Sequence, residues 1–170
     1  MNRTSLVTFS LCFLFTLVMQ AQAQETKKVI SYSKTLGDSR IMVLRSDNTL
    51  WWYAPNKRWS AVPKIGLPDA ATILDIEVYQ KPAMMGTETR LITLLSDNTI
   101  WWYAEGKPWE LIESTGLPAG AKIKDITVFL KSTGFSNDAR IVALMEDGAL
   151  WWFAPKKEWQ KVPLDGLAGE

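Results

Sequence analysis

The chain of 170 residues has no histidine and only one cysteine, Cys12. Without imidazole, serine–histidine triads and the common zinc sites are excluded, and one thiol cannot make a disulfide framework. Charge is equally uninformative about partners, because 19 basic residues stand against 18 acidic ones. Neither a nucleic-acid surface nor an acidic interaction tail is implied. No glycine-rich phosphate loop is present, and after Met19 no apolar run approaches the roughly 20 residues of a membrane span.

The one long apolar run, Leu6 to Met19, follows Asn2 and Arg3 and precedes Ala21-Gln22-Ala23. That order reads as a secretory signal peptide, residues 1–23, cleaved after Ala23; an uncleaved anchor is the alternative. Cys12 lies inside the run rather than at its end behind a small residue, which argues against lipid attachment. The mature part, 24–170, is therefore expected outside the cytoplasm, periplasmic or fully secreted. Removing Arg3 leaves 18 bases against 18 acids. The length suits one domain, held together by burial and backbone pairing alone.

Within that domain the segment Ser46–Ala54, SDNTLWWYA, returns as SDNTIWWYA at Ser96–Ala104 and EDGALWWFA at Glu146–Ala154, each copy 50 residues after the last. Internal repetition on this scale marks arrays of one supersecondary unit. The units span about 27–66, 73–116 and 123–166. Trp59, Trp109 and Trp159 follow each motif at a fixed distance, so all 9 tryptophans belong to the repeat. Gly66, Gly116 and Gly166, each followed by leucine, close the units.

Each unit reads as four short strands. The first is VISYS, ILDIEVY or IKDITVF; the second runs Arg40–Arg45, Arg90–Leu95 or Arg140–Met145. Asp-Asn or Asp-Gly turns, which tolerate positive φ, lead to the tryptophan-rich third strand. The fourth runs from the third tryptophan to Val62, Ile112 or Val162. The segments Pro82–Thr89 and Ser132–Ala139 read as variable loops, and no helix is required. An all-β domain of three four-stranded, propeller-like blades fits this pattern; a β-trefoil, which closes with three repeats, is the alternative. The second strand favours blades: Ile41 and Val43 on one face and Met42 and Leu44 on the other are all apolar, as expected of a sheet covered on both sides.

The order of an arginine-led apolar strand, a DNTLW hairpin, Trp-x-x-Val-Pro, a Gly-Leu linker and Ile-x-Asp-Ile-x-Val, seen in DNTLWWYAPNKRWSAVP and IKDITV, resembles the blade repeat of tectonin-like and related β-propeller lectins. The resemblance covers nearly the whole mature chain and implies a blade architecture and a carbohydrate ligand. It also exposes a departure, since those propellers have five or more blades. An arc of three would leave two apolar faces in water, so a homodimer forming a six-bladed ring is expected.

Aromatic faces stack on the C–H faces of sugars. Neighbouring strand residues point to opposite sides, so Trp51, Trp101 and Trp151, with Tyr53, Tyr103 and Phe153, form the candidate binding set; the alternative is that they fill the blade interfaces. Arg40, Arg90 and Arg140 offer forked donors to hydroxyls or carboxylates, or else each pairs with an acid of its own or a neighbouring unit, such as Asp75 or Asp125. Those two aspartates could form a carboxylate pair for glycoside hydrolysis, although the first unit carries Val29 in their place. Asp47, Asp97 and Asp147 read as turn residues rather than calcium ligands. The sequence thus points to a non-catalytic secreted binding module for a glycan or cell-surface partner, with no cofactor, no metal and no nucleic acid. A structural or protein-interaction module is the alternative.

Overall fold

The computed structural model describes residues 24–33, 38–83, 86–132 and 137–165; the expected leader, 1–23, lies outside them. Blade 1 consists of β1 (Thr26–Ser33), β2 (Ser39–Arg45), β3 (Leu50–Tyr53) and β4 (Ser60–Ala61). Blade 2 consists of β5 (Ile73–Ala83), β6 (Gly86–Leu95), β7 (Ile100–Ala104) and β8 (Glu110–Ile112). Blade 3 consists of β9 (Ile123–Ser132), β10 (Asn137–Met145), β11 (Leu150–Phe153) and β12 (Gln160–Lys161). Every sheet is an antiparallel meander in sequence order, and no helix occurs among the described residues. Each repeat pairs only with itself, which is the blade arrangement and sets the trefoil aside. The first strands approach one another, β5 against both β1 and β9, so they form the inner side of the arc.

Two expected boundaries shift. The β5–β6 ladder continues to Ala83 opposite Gly86, and the β9–β10 ladder to Ser132 opposite Asn137. Much of each expected loop is therefore strand, because pairing satisfies backbone amides that an open loop would leave to water. At the other edge, β4 and β12 are only 2 residues long and begin after Trp59 and Trp159.

The doubly apolar second strand has a direct cause. Met42 and Leu44 face blade 2 and pack with Leu91, Tyr103 and Trp109, whereas Ile92 and Leu94 face blade 3 and pack with Ile126, Ile141 and Ala143. The core is two layers between three sheets. Thr93 is the polar exception on β6: it is 0 % exposed and its hydroxyl has no hydrogen-bond partner among the described residues.

Successive blades are joined by the third tryptophan. Trp109 donates its indole N–H to the Pro63 carbonyl at 2.8 Å and its backbone N–H to the Ile65 carbonyl at 2.9 Å. Trp159 does the same to Glu113 at 3.0 Å and Thr115 at 2.9 Å. Glycine is needed beside the contact: Gly66 has φ +100° and a Cβ there would sit 2.6 Å from the Trp109 carbonyl oxygen, while at Gly116 (φ +98°) it would sit 2.5 Å from that of Trp159. A second link comes from the turns. Asn48, at φ 64°, donates to the Ala71 carbonyl and accepts from the Ile73 amide, and Asn98 repeats this with Ala121 and Ile123. The turn asparagine thereby clamps the next blade's first strand.

Two stability predictions follow from these contacts. Gly66→Ala is expected to lose at least about 2 kcal/mol, because strain and collision add, whereas Gly106→Ala, with open space around it, loses about 1 kcal/mol. Thr93→Val should raise stability by about 1–2 kcal/mol, since it removes a buried hydroxyl without partners at nearly constant shape. Thermal unfolding of the variants reads both signs; about 2–4 °C per kcal/mol is expected at this chain length.

Candidate functional site

Packing two blades leaves a cavity between them, and the two cavities have equivalent linings. Between blades 1 and 2 it is lined by Tyr32, Arg40, Trp52, Thr89, Tyr103 and Glu105; between blades 2 and 3 the equivalent residues are Tyr79, Arg90, Trp102, Ala139, Phe153 and Pro155. The guanidinium stacks on the second tryptophan of its own blade, at 4.6 Å for Arg40 on Trp52, 4.2 Å for Arg90 on Trp102 and 4.4 Å for Arg140 on Trp152. In blades 1 and 2 an acid two residues earlier holds it there. Arg40 donates from Nη2 to Asp38 at 3.0 Å, and Arg90 from Nε and Nη2 to Glu88, both at 3.0 Å. Burial works against the Arg40 charge, but the hydrogen bond and charge of Asp38 outweigh it and raise the pKa further. Arg40 and Arg90 thus pair with an acid of their own unit, one of the two expected arrangements, although the acids are Asp38 and Glu88 rather than Asp75 or Asp125. The signal was present as DSR, ETR and DAR at the head of each second strand.

The two cavities differ in size: about 700 Å³ between blades 2 and 3, about 50 Å³ between blades 1 and 2. Thr89, Tyr103 and Glu105 stand where the larger cavity has Ala139, Phe153 and Pro155, so bulkier groups occupy the smaller one. Only the larger falls in the range of about 300–1,000 Å³ that holds small ligands.

Of the residues singled out in the sequence, Arg40 meets Tyr103 across one cavity and Arg90 meets Phe153 across the other. Arg140 and Tyr53 stand at opposite ends of the arc. Trp51, Trp101 and Trp151 do not line either inter-blade cavity; Trp52 and Trp102 do, and sequence reasoning passed over them. Trp51 and Trp101 donate their indole N–H to Thr49 and Thr99, which in turn donate to Asp47 and Asp97 at 2.6 Å. These carboxylates and Asp147 also accept backbone amides two residues on, the work of a turn aspartate. Trp51 lines an open hollow with Val29, Val43 and Trp59, and Trp151 one with Pro118 and Lys122.

An arc of propeller blades with an arginine–tryptophan cavity between neighbours is thus the class that fold and site define. Solved structures share the fold: a fucose lectin from Kordia zhangzhouensis in complex with methyl-fucoside is 14% identical, at a TM-score of 0.50 over 79% of this chain and 97% of that one. A mutant Aleuria aurantia lectin matches at 14% identity in its complex with Fucα1-6GlcNAc and at 15% with α-methyl-L-fucoside, with TM-scores of 0.54 and 0.52 over 81% of this chain. The present chain spans 44% of that lectin, less than half its length. At such identities the likeness is one of fold. No family model matches the sequence, and no curated protein matches it.

A separate polar row runs along the inner strands. Lys28 pairs with Leu44 as Asp75 pairs with Leu94 and Asp125 with Leu144, so Lys28, and not Val29, is the first unit's counterpart of the two aspartates. Lys28 precedes Leu44 by 16 residues whereas Asp75 precedes Leu94 by 19, so the first unit is three residues shorter here, which a fixed 50-residue spacing hides. Asp75 and Asp125 accept the next amide, from Ile76 at 2.8 Å and Ile126 at 2.9 Å. Lys28 reaches across to blade 2 and donates to Asp75 at 2.5 Å and Glu77 at 2.9 Å. Burial disfavours its charge, yet these bonds prevail and raise its pKa. Stability from a raised lysine is complete below its ordinary value and is lost only as pH climbs through the raised one, in strong alkali. Lys28→Met should therefore cost about 1–2 kcal/mol at pH 7, allowing for solvent screening, and clearly less in strong alkali, where the wild-type ammonium has lost its proton. Urea unfolding under the two conditions measures it.

Proposed function

We propose that this chain is a non-catalytic carbohydrate-binding module that works outside the cytoplasm as a homodimer, delivered there by the leader at residues 1–23. The cavity between blades 2 and 3 carries the reading. A pyranose presents one apolar C–H face and a rim of hydroxyls, and this cavity offers Trp102 and Phe153 for the first and the Arg90 guanidinium, held by Glu88, for the second. A guanidinium has five donors, and Glu88 engages those on Nε and Nη2. The stack on Trp102 fixes its plane before any ligand arrives, which lowers the ordering cost of binding.

Fucosides are the first sugars to try, because the fold neighbours were solved with them bound. Trp51, Trp101 and Trp151 act in this reading as packing residues, and Tyr103 and Phe153 serve as the aromatic that one blade lends to the previous blade's arginine. The carboxylates of Asp75 and Asp125 serve strand amides and Lys28, so no bond-breaking step is assigned to them.

Methyl α-L-fucoside should change the tryptophan fluorescence of the exported protein. Arg90→Met should weaken that response by ~10- to ~100-fold, matching the ~1.5–3 kcal/mol of hydrogen bonds to a charged group. Arg40→Met, at the closed cavity, should change it little. A protein silent to fucosides and to a panel of other monosaccharides would refute the reading.

A further inference from the structure

Both ends of the arc carry one half of the contact that joins the blades. At the blade 1 end, Trp59 is 48 % exposed, whereas its equivalents Trp109 and Trp159 are 3 % exposed. It is already posed for the same bond, since its ring lies 5.2 Å from Tyr53, as Trp109 lies 5.1 Å from Tyr103 and Trp159 5.4 Å from Phe153. At the blade 3 end, Pro163 and Asp165 hold the positions whose carbonyls, at 63 and 65 and at 113 and 115, receive the next blade's tryptophan. No tryptophan reaches them among the described residues. Phe129 on the same end is 48 % exposed, while its equivalent Tyr79 is 7 % exposed under blade 3.

We infer that a second copy of this chain closes the arc head to tail, its Trp59 seated on Pro163 and Asp165, and that this seam builds a further sugar cavity from Arg140 and Trp152 of one copy and Tyr53 of the other. The partner's identity follows from continuity with the interface already present twice within the chain. The number of copies follows from blade count: propellers close with four to eight blades, so one chain is too few and three are too many. Charge agrees with the match. Blade 1 ends the inner polar row with Lys28 and blade 3 ends it with Asp125 at the equivalent position, so closure would set opposite charges side by side. Burial and the neighbouring Asp75 raise the pKa of Asp125, a strain that a facing ammonium relieves.

The seam cavity shares a proline, Pro55, with the open one and the tyrosine, Tyr53, with the closed one, and it has the small Ser39 at the third position. The second copy would contribute Ser39 and Pro55 at the positions that are Ala139 and Pro155 in the 700 Å³ cavity, and Thr89 and Glu105 in the closed one. Its use as a sugar site rests on the carbohydrate reading, but the seam itself does not.

The test takes the exported protein through a dilution series by light scattering, then titrates it with methyl α-L-fucoside by calorimetry. Wild type should weigh two chains and bind two sugars per chain. Trp59→Ala should weaken pairing at least ~100-fold and bind one per chain; because Trp59 is half exposed, its loss leaves the chain's own core intact, which a cooperative melt verifies. Val162→Asp, on the opposite end, should also run as one chain. A wild-type mass of one chain, a mass growing beyond two, or variants that remain paired would overturn the seam. Unpaired Trp59→Ala still binding two sugars per chain would overturn the shared cavity. A two-chain wild type that binds no fucoside supports the seam and counts against the carbohydrate reading.

Discussion

The bond from each blade's third tryptophan to the linker before it is the constraint on which the rest depends. An indole N–H in an apolar layer needs an acceptor, and Pro63 and Glu113 supply one from backbone, so the requirement is met whatever the side chain at that position. The linker must pass within contact of the tryptophan backbone, and Gly66 and Gly116 make that approach feasible. Taking a tryptophan from half exposed to 3 % exposed is worth on the order of 2–3 kcal/mol, more than its hydrogen bond contributes. Burial therefore drives the contact, and the two hydrogen bonds set its register.

Once blade spacing is set, the cavities follow. Arg40 and Arg90 head their second strands beside these cavities, and both stay largely buried because a carboxylate two residues earlier and a tryptophan face accept the charge. Neither alone would hold it, since a buried guanidinium without a counter-ion is costly. The same frame yields an open or a nearly closed cavity according to three positions: Ala139, Phe153 and Pro155 against Thr89, Tyr103 and Glu105. Cavity size thus differs from one blade pair to the next on one shared frame of sheets.

Much of this was legible in the sequence. The repeat predicted three units, and the apolar residues on both faces of Ile41–Leu44 predicted sheets stacked on each other. Alternation along a strand also separated Trp51 from Trp52. It could not say which of the two faces the following blade, because that depends on the hand in which blades succeed one another, a property of the whole arc. The preference for the Trp51 set came from that ambiguity. Lys28 was missed for a different reason: the connection between β1 and β2 is three residues shorter than in the other units, and a fixed 50-residue comparison then lands on the wrong side chain.

The departures from repetition are as informative as the repeats. Three carboxylates in equivalent places on adjacent inner strands would repel one another; a lysine in the first unit relieves its neighbour in blade 2. The turn asparagine follows a similar logic. Asn48 and Asn98 clamp the strand that the chain itself supplies next, and Gly148, at the same place in the third unit, has no side chain to do so. A repeat left to drift would lose residues at random. Here the tryptophan contact is retained at the end where it has no partner within the arc, while the clamp on a covalently following strand is absent in the unit after which no blade follows among the described residues. The tryptophan contact acts between blades as whole sheets, whereas the asparagine clamp acts on the one strand that the chain supplies next.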